Sequence, residues 1–335
     1  MKNTSLHALA TAIVLKANSI YKSLIHNHEL KRTCWLFVMS VFFFQILSAQ
    51  KIGLILSGGG APGIAHIGMI KALEENNIPI DYITGTSIGA LIGGLYASGY
   101  SPDEMILFFK SSEFKKWKKL EIKFPRKYVI PTHIIQPQRI QKGLEKLTEF
   151  ATIRSGNNFD SLFIPFRCVA SDVYRKESYV FSHGDLATAL KASMTFPFIF
   201  EATRVDNRLL FDGGIYNNFP IDIMQQTFHP DFMIGSVVAY NPPQADVNDI
   251  LMQLQNMITI DTNYSIPDSL GIVLNFELKK QSMFDFSDID SLVKFGYEET
   301  KKQIEILDTK IQRRNSIYEI NQKRRLFRSN QFTAK

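Results

Sequence analysis

Two glycine-rich turns, each between a short apolar run and a helix-like segment, constrain the fold of this chain more than any other feature. The first turn, residues 58–63, follows the apolar run Ile52–Leu56 and contains four glycines. The second turn has the pattern Gly-x-Ser-x-Gly at residues 85–89 and follows the apolar run 80–83. Because strand, turn and helix repeat in this order, the sequence predicts an α/β fold with a mainly parallel sheet.

The rest of the chain continues this alternation of predicted strands and helices. A capping box at residues 101–104 predicts a helix start, because its serine and glutamate can satisfy free backbone amides. Further strands are predicted at 165–170, 178–181, 232–239 and just after Gly271, with a hairpin over 204–211. Further helices are predicted at 138–150, 185–193 and 288–312. The predicted folded domain spans residues 50–312, and residues 313–335 are expected to form a loose basic tail.

The first 49 residues carry the pattern of a secretory signal peptide. Two basic residues at 31–32 precede a largely apolar run at 34–47, and the small residues Ser48 and Ala49 follow. A basic start, a short apolar stretch and a small-residue exit are typical of a cleaved export signal. The apolar run is shorter than the roughly 20 residues that span a bilayer. We therefore expect export and cleavage near Gln50, with an uncleaved membrane anchor as the alternative.

Composition and charge narrow the range of ligands. The formal charge of +6 over 335 residues permits attraction to an anionic lipid surface, and the absence of a nucleic-acid-binding motif argues against nucleic acid. The two cysteines and seven histidines form neither a CxxC nor an HExxH pattern, so neither a metal site nor a cofactor is expected. Four lysines flank Trp117 between Phe114 and Leu120, and this segment is either a membrane contact or a solvated loop.

The second turn places Ser87 where a catalytic serine is expected. A serine between Gly85 and Gly89, at the junction of a strand and a helix, is typical of a nucleophile elbow. Flanking side chains would collide in so tight a turn, which explains the glycines on both sides. The positive end of the following helix would favour a developing negative charge. Ser87 is therefore the candidate nucleophile.

The glycines of the first turn admit several interpretations. Gly58, Gly60 and Gly63 fit a dinucleotide-binding pattern, but no acidic residue ends the second strand. A phosphate-binding P-loop would require a Gly-Lys-Ser/Thr ending, which is absent. An oxyanion hole is the third interpretation, because the amides of Gly58, Gly59 and Gly60 can approach an ester oxygen closely. A purely structural turn is the fourth, although three consecutive glycines exceed what a turn requires.

Asp212 is the candidate base. It ends a predicted hairpin strand and precedes Gly213 and Gly214, so its carboxylate can face a neighbouring loop. A plain Asp-Gly turn is the alternative interpretation. His66 lies on the first predicted helix, where a histidine more often packs than reacts, and residues 182–185 form an ordinary turn pattern around His183.

In this order the motifs resemble those of the patatin-like phospholipase family, in particular its exported bacterial members. The resemblance rests on residues 57–63, 85–89 and 212–214, with supporting matches at 192–197 and 217–220. Each motif is common alone, but the ordered set is highly specific. The family implies a three-layer α/β/α fold, a serine–aspartate dyad without histidine, and hydrolysis of acyl esters of lipids or phospholipids.

Transferred residue by residue, the resemblance implies that Ser87 is the nucleophile, that Asp212 is the base, and that Gly58, Gly59 and Gly60 supply the oxyanion amides. Pro62 departs from the family pattern, because many members have arginine or lysine at this position. Proline has no amide hydrogen, so the donors must come from the glycines before it.

The resemblance also implies partners and a location. A lipid substrate and a membrane surface are expected, at the periplasm, the outer membrane or outside the cell, and no protein partner is predicted. Two rival functions are an esterase of the α/β-hydrolase type with a Ser-His-Asp triad and a non-catalytic lipid-binding or export-passenger module. The first rival usually has several strands before its nucleophile strand, whereas this sequence predicts one.

Overall fold

The apolar run Ile52–Leu56 forms β1, an interior strand of the central sheet. A computed structural model of this protein describes residues 50–117, 137–197, 199–241, 244–248, 250–278 and 282–329. The expected signal peptide in residues 1–49 lies outside this part of the chain, as do Lys118 and Lys119 of the proposed membrane contact. No helix in the described ranges is both long enough and apolar enough to cross a bilayer.

Strands and helices alternate along the chain as the two turns predict. The strands are β1 (Ile52–Leu56), β2 (Tyr82–Thr86), β3 (Phe166–Asp172), β4 (Glu177–Phe181), β5 (Thr203–Val205), β6 (Arg208–Asp212), β7 (Phe232–Val237) and β8 (Gly271–Asn275). The helices are α1 (Ala65–Glu75), α2 (Ile88–Ala97), α3 (Pro102–Lys110), α4 (Ser112–Trp117), α5 (Pro137–Arg154), α6 (Leu186–Ser193), α7 (Ile221–Phe228), α8 (Ile250–Ile258), α9 (Ile289–Lys301), α10 (Ile304–Lys310) and α11 (Ile317–Arg328). Short 3-10 turns lie at Ala61–Ile64, Phe159–Ser161 and Gly213–Ile215.

These strands form one sheet in the order β5-β6-β3-β2-β1-β7-β8, with β4 also paired to β3. All neighbours from β3 through β2, β1 and β7 to β8 are parallel. β4 and β6 pair antiparallel with β3, and β5 continues the antiparallel side through β6. The predicted α/β fold with a mainly parallel central sheet is therefore confirmed.

Helices cover both faces of the sheet, which gives the three expected layers. Side chains alternate along β1, so Leu54 and Leu56 face one core while Ile55 faces the other. On the first face α2 packs against β2 and β3, and α6 packs against β3. On the second face α7 packs against β1 and β2, with Met224 lying against Gly53. Because both faces are covered, every residue of β1 is buried and its apolar run is continuous.

The C-terminal part of the chain differs from the expectations. The helix predicted over 288–312 is two helices, α9 and α10, which a turn at residues 302–303 separates. The expected loose tail contains α11 instead. Ser316 and Glu319 form a capping box at the start of α11, and this box satisfies amides that would otherwise lack partners. The tail is therefore ordered by local capping as well as by packing.

A buried ion pair fastens α11 to the rest of the fold. Arg324 donates a hydrogen bond to Glu74 of α1 at 2.5 Å, and each side chain is 5% exposed. The guanidinium also lies over the rings of Tyr96 and Phe163, 5.6 and 5.4 Å from their centroids. Phe327 adds a ring contact with Phe163 at 6.1 Å. Arg324, one of the basic residues of the tail, thus makes one of the main packing contacts between the tail and the rest of the fold.

The prediction that the segment around Trp117 contacts a membrane is wrong for the two aromatic residues of that segment. Phe114 and Trp117 lie in α4 and are only 5% and 6% exposed. The Trp117 ring lies 5.3 Å from that of Phe108 and packs against Gly143 of α5. Both rings belong to the core, so neither is available to enter a lipid headgroup layer.

The Glu74–Arg324 pair gives a test of how the tail is held. Arg324→Met should lower the free energy of unfolding by about 3 kcal/mol, because it leaves the Glu74 carboxylate buried without its partner. Arg325→Met, at an exposed position of the same helix, should change it by less than about 0.5 kcal/mol. Urea denaturation measures both values. Equal values for the two variants would contradict the assigned role of the ion pair.

Candidate active site

Ser87 lies in a strained turn between β2 and α2. Its φ angle is 54°, in the left-handed region that serine rarely adopts. A Cβ atom added to Gly85 would lie 2.6 Å from the carbonyl oxygen of Gly89. A Cβ added to Gly89 would lie 2.5 Å from the carbonyl oxygens of Leu56 and Ser57. Both glycines are thus required sterically, as the turn pattern predicts.

The backbone of Ser87 is held by a second serine. The Ser87 N–H donates to Ser193 Oγ at 2.9 Å, and Ser193 Oγ donates to the carbonyl oxygen of Val169 at 2.6 Å. Ser193 is the last residue of α6 and is fully buried. The sequence shows Ser193 only as part of a family match, without a role. The structure places it as the link between the turn and β3.

Asp212 and Ser87 are 125 residues apart in the sequence, and the register of the strands places them side by side. Thr86 pairs with Val169 of β3, and the next residue, Ala170, pairs with Asp212 of β6. Ser87 Oγ therefore donates to Asp212 Oδ2 at 2.6 Å. The other carboxylate oxygen, Oδ1, accepts the N–H of Gly214 at 2.7 Å.

The environment of Asp212 makes its carboxylate more basic. Asp212 is only 6% exposed, and burial raises its pKa to about 6, although hydrogen bonds from Ser87 and Gly214 oppose the shift. A Cβ on Gly213 would lie 2.2 Å from the carbonyl oxygen of Val169, so this turn packs directly on β3. The carboxylate is ionised at neutral pH, yet it takes up a proton more readily than an exposed aspartate does.

The glycine loop, residues 58–63, lies beside Ser87. A Cβ on Gly58 would lie 3.2 Å from the Cβ of Ser87. The Gly58 N–H already donates to the carbonyl oxygen of Asn218 at 3.1 Å, which makes it unsuited to the predicted oxyanion role. Within the described ranges, the N–H groups of Gly59 and Gly60 have no hydrogen-bond acceptor. Two of the three predicted donors therefore have no acceptor among the residues that the structure describes.

Asn218 connects the glycine loop with the Asp212 turn. Its carbonyl oxygen accepts the Gly58 N–H, and its side-chain oxygen lies near both Gly58 and Gly214. The Asn218 side chain donates to the hydroxyl of Tyr264 at 2.8 Å, which fixes its orientation. The sequence shows Asn218 only as a supporting family match. Its bridging position depends on contacts that no local pattern reveals.

The described histidines lie outside this arrangement. His66 is buried, with Nδ1 at 2.7 Å from Ser236 Oγ and Nε2 at 3.0 Å from the carbonyl oxygen of Ser57. Burial lowers the pKa of His66 to about 4, so its ring is neutral and serves packing. His183 and His229 are exposed. No histidine in the described part of the chain hydrogen-bonds to Ser87 or Asp212.

Among the described residues, neither a cluster of metal ligands nor the open cavity of the structure lies at Ser87. No group of three or more histidine, cysteine, aspartate or glutamate side chains that could hold a metal occurs among the described residues. An open cavity of about 670 Å³ is lined by residues such as Asn158, Arg167 and Asp185, and neither Ser87 nor Asp212 lines it. The Ser87–Asp212 pair and the glycine loop therefore lie apart from this cavity.

The similarity of this chain to known proteins includes the residues around Ser87 and Asp212. A sequence model of the family described as patatin-like phospholipase matches residues 54–224, slightly more than half of the chain. The protein ZK370.4 of Caenorhabditis elegans, described as containing a patatin-like phospholipase domain, is 30% identical over 67% of this chain and 16% of its own length. Lysophospholipase NTE1 of Saccharomyces cerevisiae is 32% identical over 54% of this chain and 10% of its own length.

The chain thus matches about a sixth or less of the length of these curated relatives. Among solved structures, VipD from Legionella pneumophila is similar with a TM-score of 0.48 and 15% identity. That similarity covers 77% of this chain and 67% of the other.

The raised pKa of Asp212 predicts a pH-dependent difference in stability between the wild type and Asp212→Asn. Between pH 3.8 and about 6 the folded state binds this proton more tightly than the unfolded state, so its stabilising effect is lost as the pH rises through about 6. At pH 8 Asp212→Asn should therefore be more stable than the wild type by up to about 3 kcal/mol. The difference should shrink as the pH falls towards 4.

Urea denaturation at several pH values measures this difference. Asp268→Asn, the same substitution at an exposed position, serves as the control. A wild type that is more stable than Asp212→Asn at every pH would contradict the burial of an ionised Asp212.

Proposed function

Because the chain belongs to the patatin-like phospholipase family, we propose that it hydrolyses acyl esters of lipids or phospholipids with Ser87 as nucleophile and Asp212 as base. The observation that carries this proposal is the 2.6 Å hydrogen bond from Ser87 Oγ to Asp212 Oδ2. A serine hydroxyl needs a base within hydrogen-bond reach to act as a nucleophile at neutral pH. The buried carboxylate, with its pKa near 6, meets this requirement without a histidine.

The proposed reaction has two halves. Ser87 Oγ attacks the ester carbonyl carbon while its proton moves to Asp212, and the tetrahedral oxyanion lies against the N–H groups of Gly59 and Gly60. Asp212 then gives the proton to the departing alcohol, which leaves the acyl group on Ser87. Water then attacks the acyl carbonyl carbon while Asp212 accepts its proton, and Asp212 returns that proton to Ser87 Oγ as the bond to the acyl group breaks and the fatty acid is released.

Backbone geometry supports the oxyanion step. Ser87 precedes the first residue of α2, so the developing charge lies at the positive end of that helix. The amides of Gly59 and Gly60 add preorganised donors, and one such donor contributes about 3 kcal/mol in comparable sites. Gly58 plays a different part in the proposal, because its bond to Asn218 fixes the loop beside Ser87.

A non-catalytic lipid-binding module on the same fold is the competing hypothesis. The positive φ of Ser87 favours the enzyme, because such backbone strain costs about 1–3 kcal/mol and persists chiefly where it serves function. Export through a signal peptide in residues 1–49 stays a prediction from sequence, as does contact with a membrane surface.

The dyad predicts which substitutions abolish activity. Ser87→Ala and Asp212→Asn should each lower kcat/KM for a soluble p-nitrophenyl ester by about a thousandfold or more, because each removes one partner of the proton transfer. His183→Ala and His229→Ala, at exposed positions, should retain nearly full activity. His66→Gln tests the buried histidine in the same assay. A folded histidine variant as inactive as Ser87→Ala would show that a triad operates.

The pKa of Asp212 predicts the pH profile of the free enzyme. Since the base must be unprotonated, kcat/KM for an uncharged soluble ester should fall about tenfold per pH unit below about pH 6 and level off above it. Steady-state rates over a pH series measure this. A profile that stays flat well below pH 5, or a midpoint near 7 that His66→Gln removes, would contradict Asp212 as the base.

A further inference from the structure

Between β7 and β8 the chain leaves the sheet in an excursion, residues 241–262, of which 241, 244–248 and 250–262 are described; it contains α8. The base of the excursion is closed by a reciprocal pair: Asn241 Nδ2 donates to the carbonyl oxygen of Thr262 at 3.1 Å, and the Thr262 N–H donates to Asn241 Oδ1 at 2.9 Å. The excursion therefore has a defined origin on the sheet.

Polar side chains of α8 order the loop that precedes it. Gln253 Nε2 donates to the carbonyl oxygens of Asp246 and Val247 at 2.8 and 2.9 Å. Asn256 Oδ1 accepts the N–H of Ala245 at 2.9 Å. Because these polar groups bond within the excursion, the backbone that carries Val247 is held while its side chain points to solvent.

Four exposed positions of the excursion carry large apolar side chains. The exposed fractions are 84% for Val247, 68% for Ile250, 80% for Met257 and 59% for Ile260. Ile250 and Met257 are seven residues apart in α8, so they lie on one face of the helix. Exposed apolar side chains grouped on one surface mark a site that an apolar partner covers.

Backbone hydrogen bonds tie this surface to the active site. The Ile260 N–H donates to the carbonyl oxygen of Ile215 at 2.8 Å, and Ile215 ends the short turn that follows Asp212. On the side of the glycine loop, the Ala61 N–H donates to the carbonyl oxygen of Met283, whose neighbour Phe284 is 46% exposed. Exposed apolar side chains are therefore linked to both of the loops that carry the proposed reaction.

The distribution of charged residues in the sequence indicates which kind of lipid layer the excursion can contact. No lysine or arginine occurs from residue 209 to residue 278, although the whole chain has a net charge of +6. The excursion itself contains only acidic charges, Asp246, Asp249 and Asp261. An anionic lipid layer would be repelled by these charges, whereas a zwitterionic layer would not.

We propose that the excursion, through Val247, Ile250, Met257 and Ile260, docks the enzyme onto the surface of a zwitterionic phospholipid aggregate by apolar insertion. This inference rests on the proposed function for its choice of occupant, because a lipid hydrolase must take its substrate from such a surface. Binding requires no cations near the site and brings the acyl ester to the side of the fold that carries Ser87 and Asp212.

Vesicle flotation with phosphatidylcholine tests the docking surface. The double variant Ile250→Ser/Met257→Ser, made in the full chain, should bind about tenfold or more weakly, because two apolar side chains no longer enter the lipid. Leu107→Ser/Leu326→Ser is the matched control, with exposed fractions of 69% and 63% at sites on α3 and α11, and it should bind as the wild type does. High NaCl and added phosphatidylserine should not strengthen binding.

Activity assays separate this inference from the proposed function. Ile250→Ser/Met257→Ser should lose about tenfold in the rate on phosphatidylcholine vesicles but keep its kcat/KM on a soluble ester. A wild type that is inactive on every ester would remove the proposed function, yet flotation of Ser87→Ala would still test the surface.

Unchanged flotation of the Ile250→Ser/Met257→Ser variant would overturn the proposal, as would binding that occurs only with phosphatidylserine and is lost at high salt. The remaining possibility is that a second copy of the chain covers this surface, and sedimentation velocity tests it. If the wild type is a dimer that this variant converts to a monomer, a second copy of the chain covers the surface, and the proposal is wrong.

Discussion

The backbone turn at Ser87 leaves no room for a side chain two residues before or two residues after the serine, and the site is built around this constraint. Gly85 allows the start of α2 to lie directly against β2, and Gly89 allows α2 to approach the end of β1. Ser193 accepts a hydrogen bond from the Ser87 amide. Serine at a φ of 54° costs about 1–3 kcal/mol. The surrounding sheet, buried on both faces, supplies the packing that holds the turn in place.

The sheet also explains why a buried aspartate can lie beside this serine. β6 runs antiparallel to β3 and ends where Asp212 pairs with Ala170, so this register places its last residue level with the end of β2. Asp212 is thereby enclosed, which destabilises its ionised form and makes it a stronger base than an exposed carboxylate. The same burial that suits Asp212 to the proposed proton transfer thus reduces the stability of the folded state at neutral pH.

Local sequence patterns were sufficient where the structure is local. The β1 and β2 strands, the Ser87 turn and the capped start of α3 follow from apolar runs, glycines and a capping box within a few residues of each other. Ser193 and Asn218 could not be assigned roles, because the residues of the two glycine-rich turns that they hold, Ser87 and Gly58, lie more than a hundred residues away in sequence.

Charge misled the sequence-based expectations in two places. Arg324 made α11 look like a solvated tail, although its guanidinium is buried on Glu74 and two aromatic rings. The lysines around Trp117 made a core aromatic look like a surface anchor. In both cases a side chain that is polar or flanked by charge contributes apolar contact area, which the count of charges does not reveal.

The electrostatics of the site and of the proposed docking surface favour the same kind of lipid. A negative charge near a carboxylate disfavours ionisation of that carboxylate, so an anionic headgroup layer beside Asp212 would raise its pKa above about 6 and leave less of the base ready to accept the Ser87 proton. The stretch from residue 209 to 278 carries no cation that could offset this effect. A zwitterionic layer imposes no such field, because its opposite charges nearly cancel at the distance of the buried site. Apolar side chains in the excursion provide contact area without introducing charge. Apolar docking therefore adds no net charge beside Asp212, whose pKa is raised by burial against the opposing effect of its hydrogen bonds from Ser87 and Gly214.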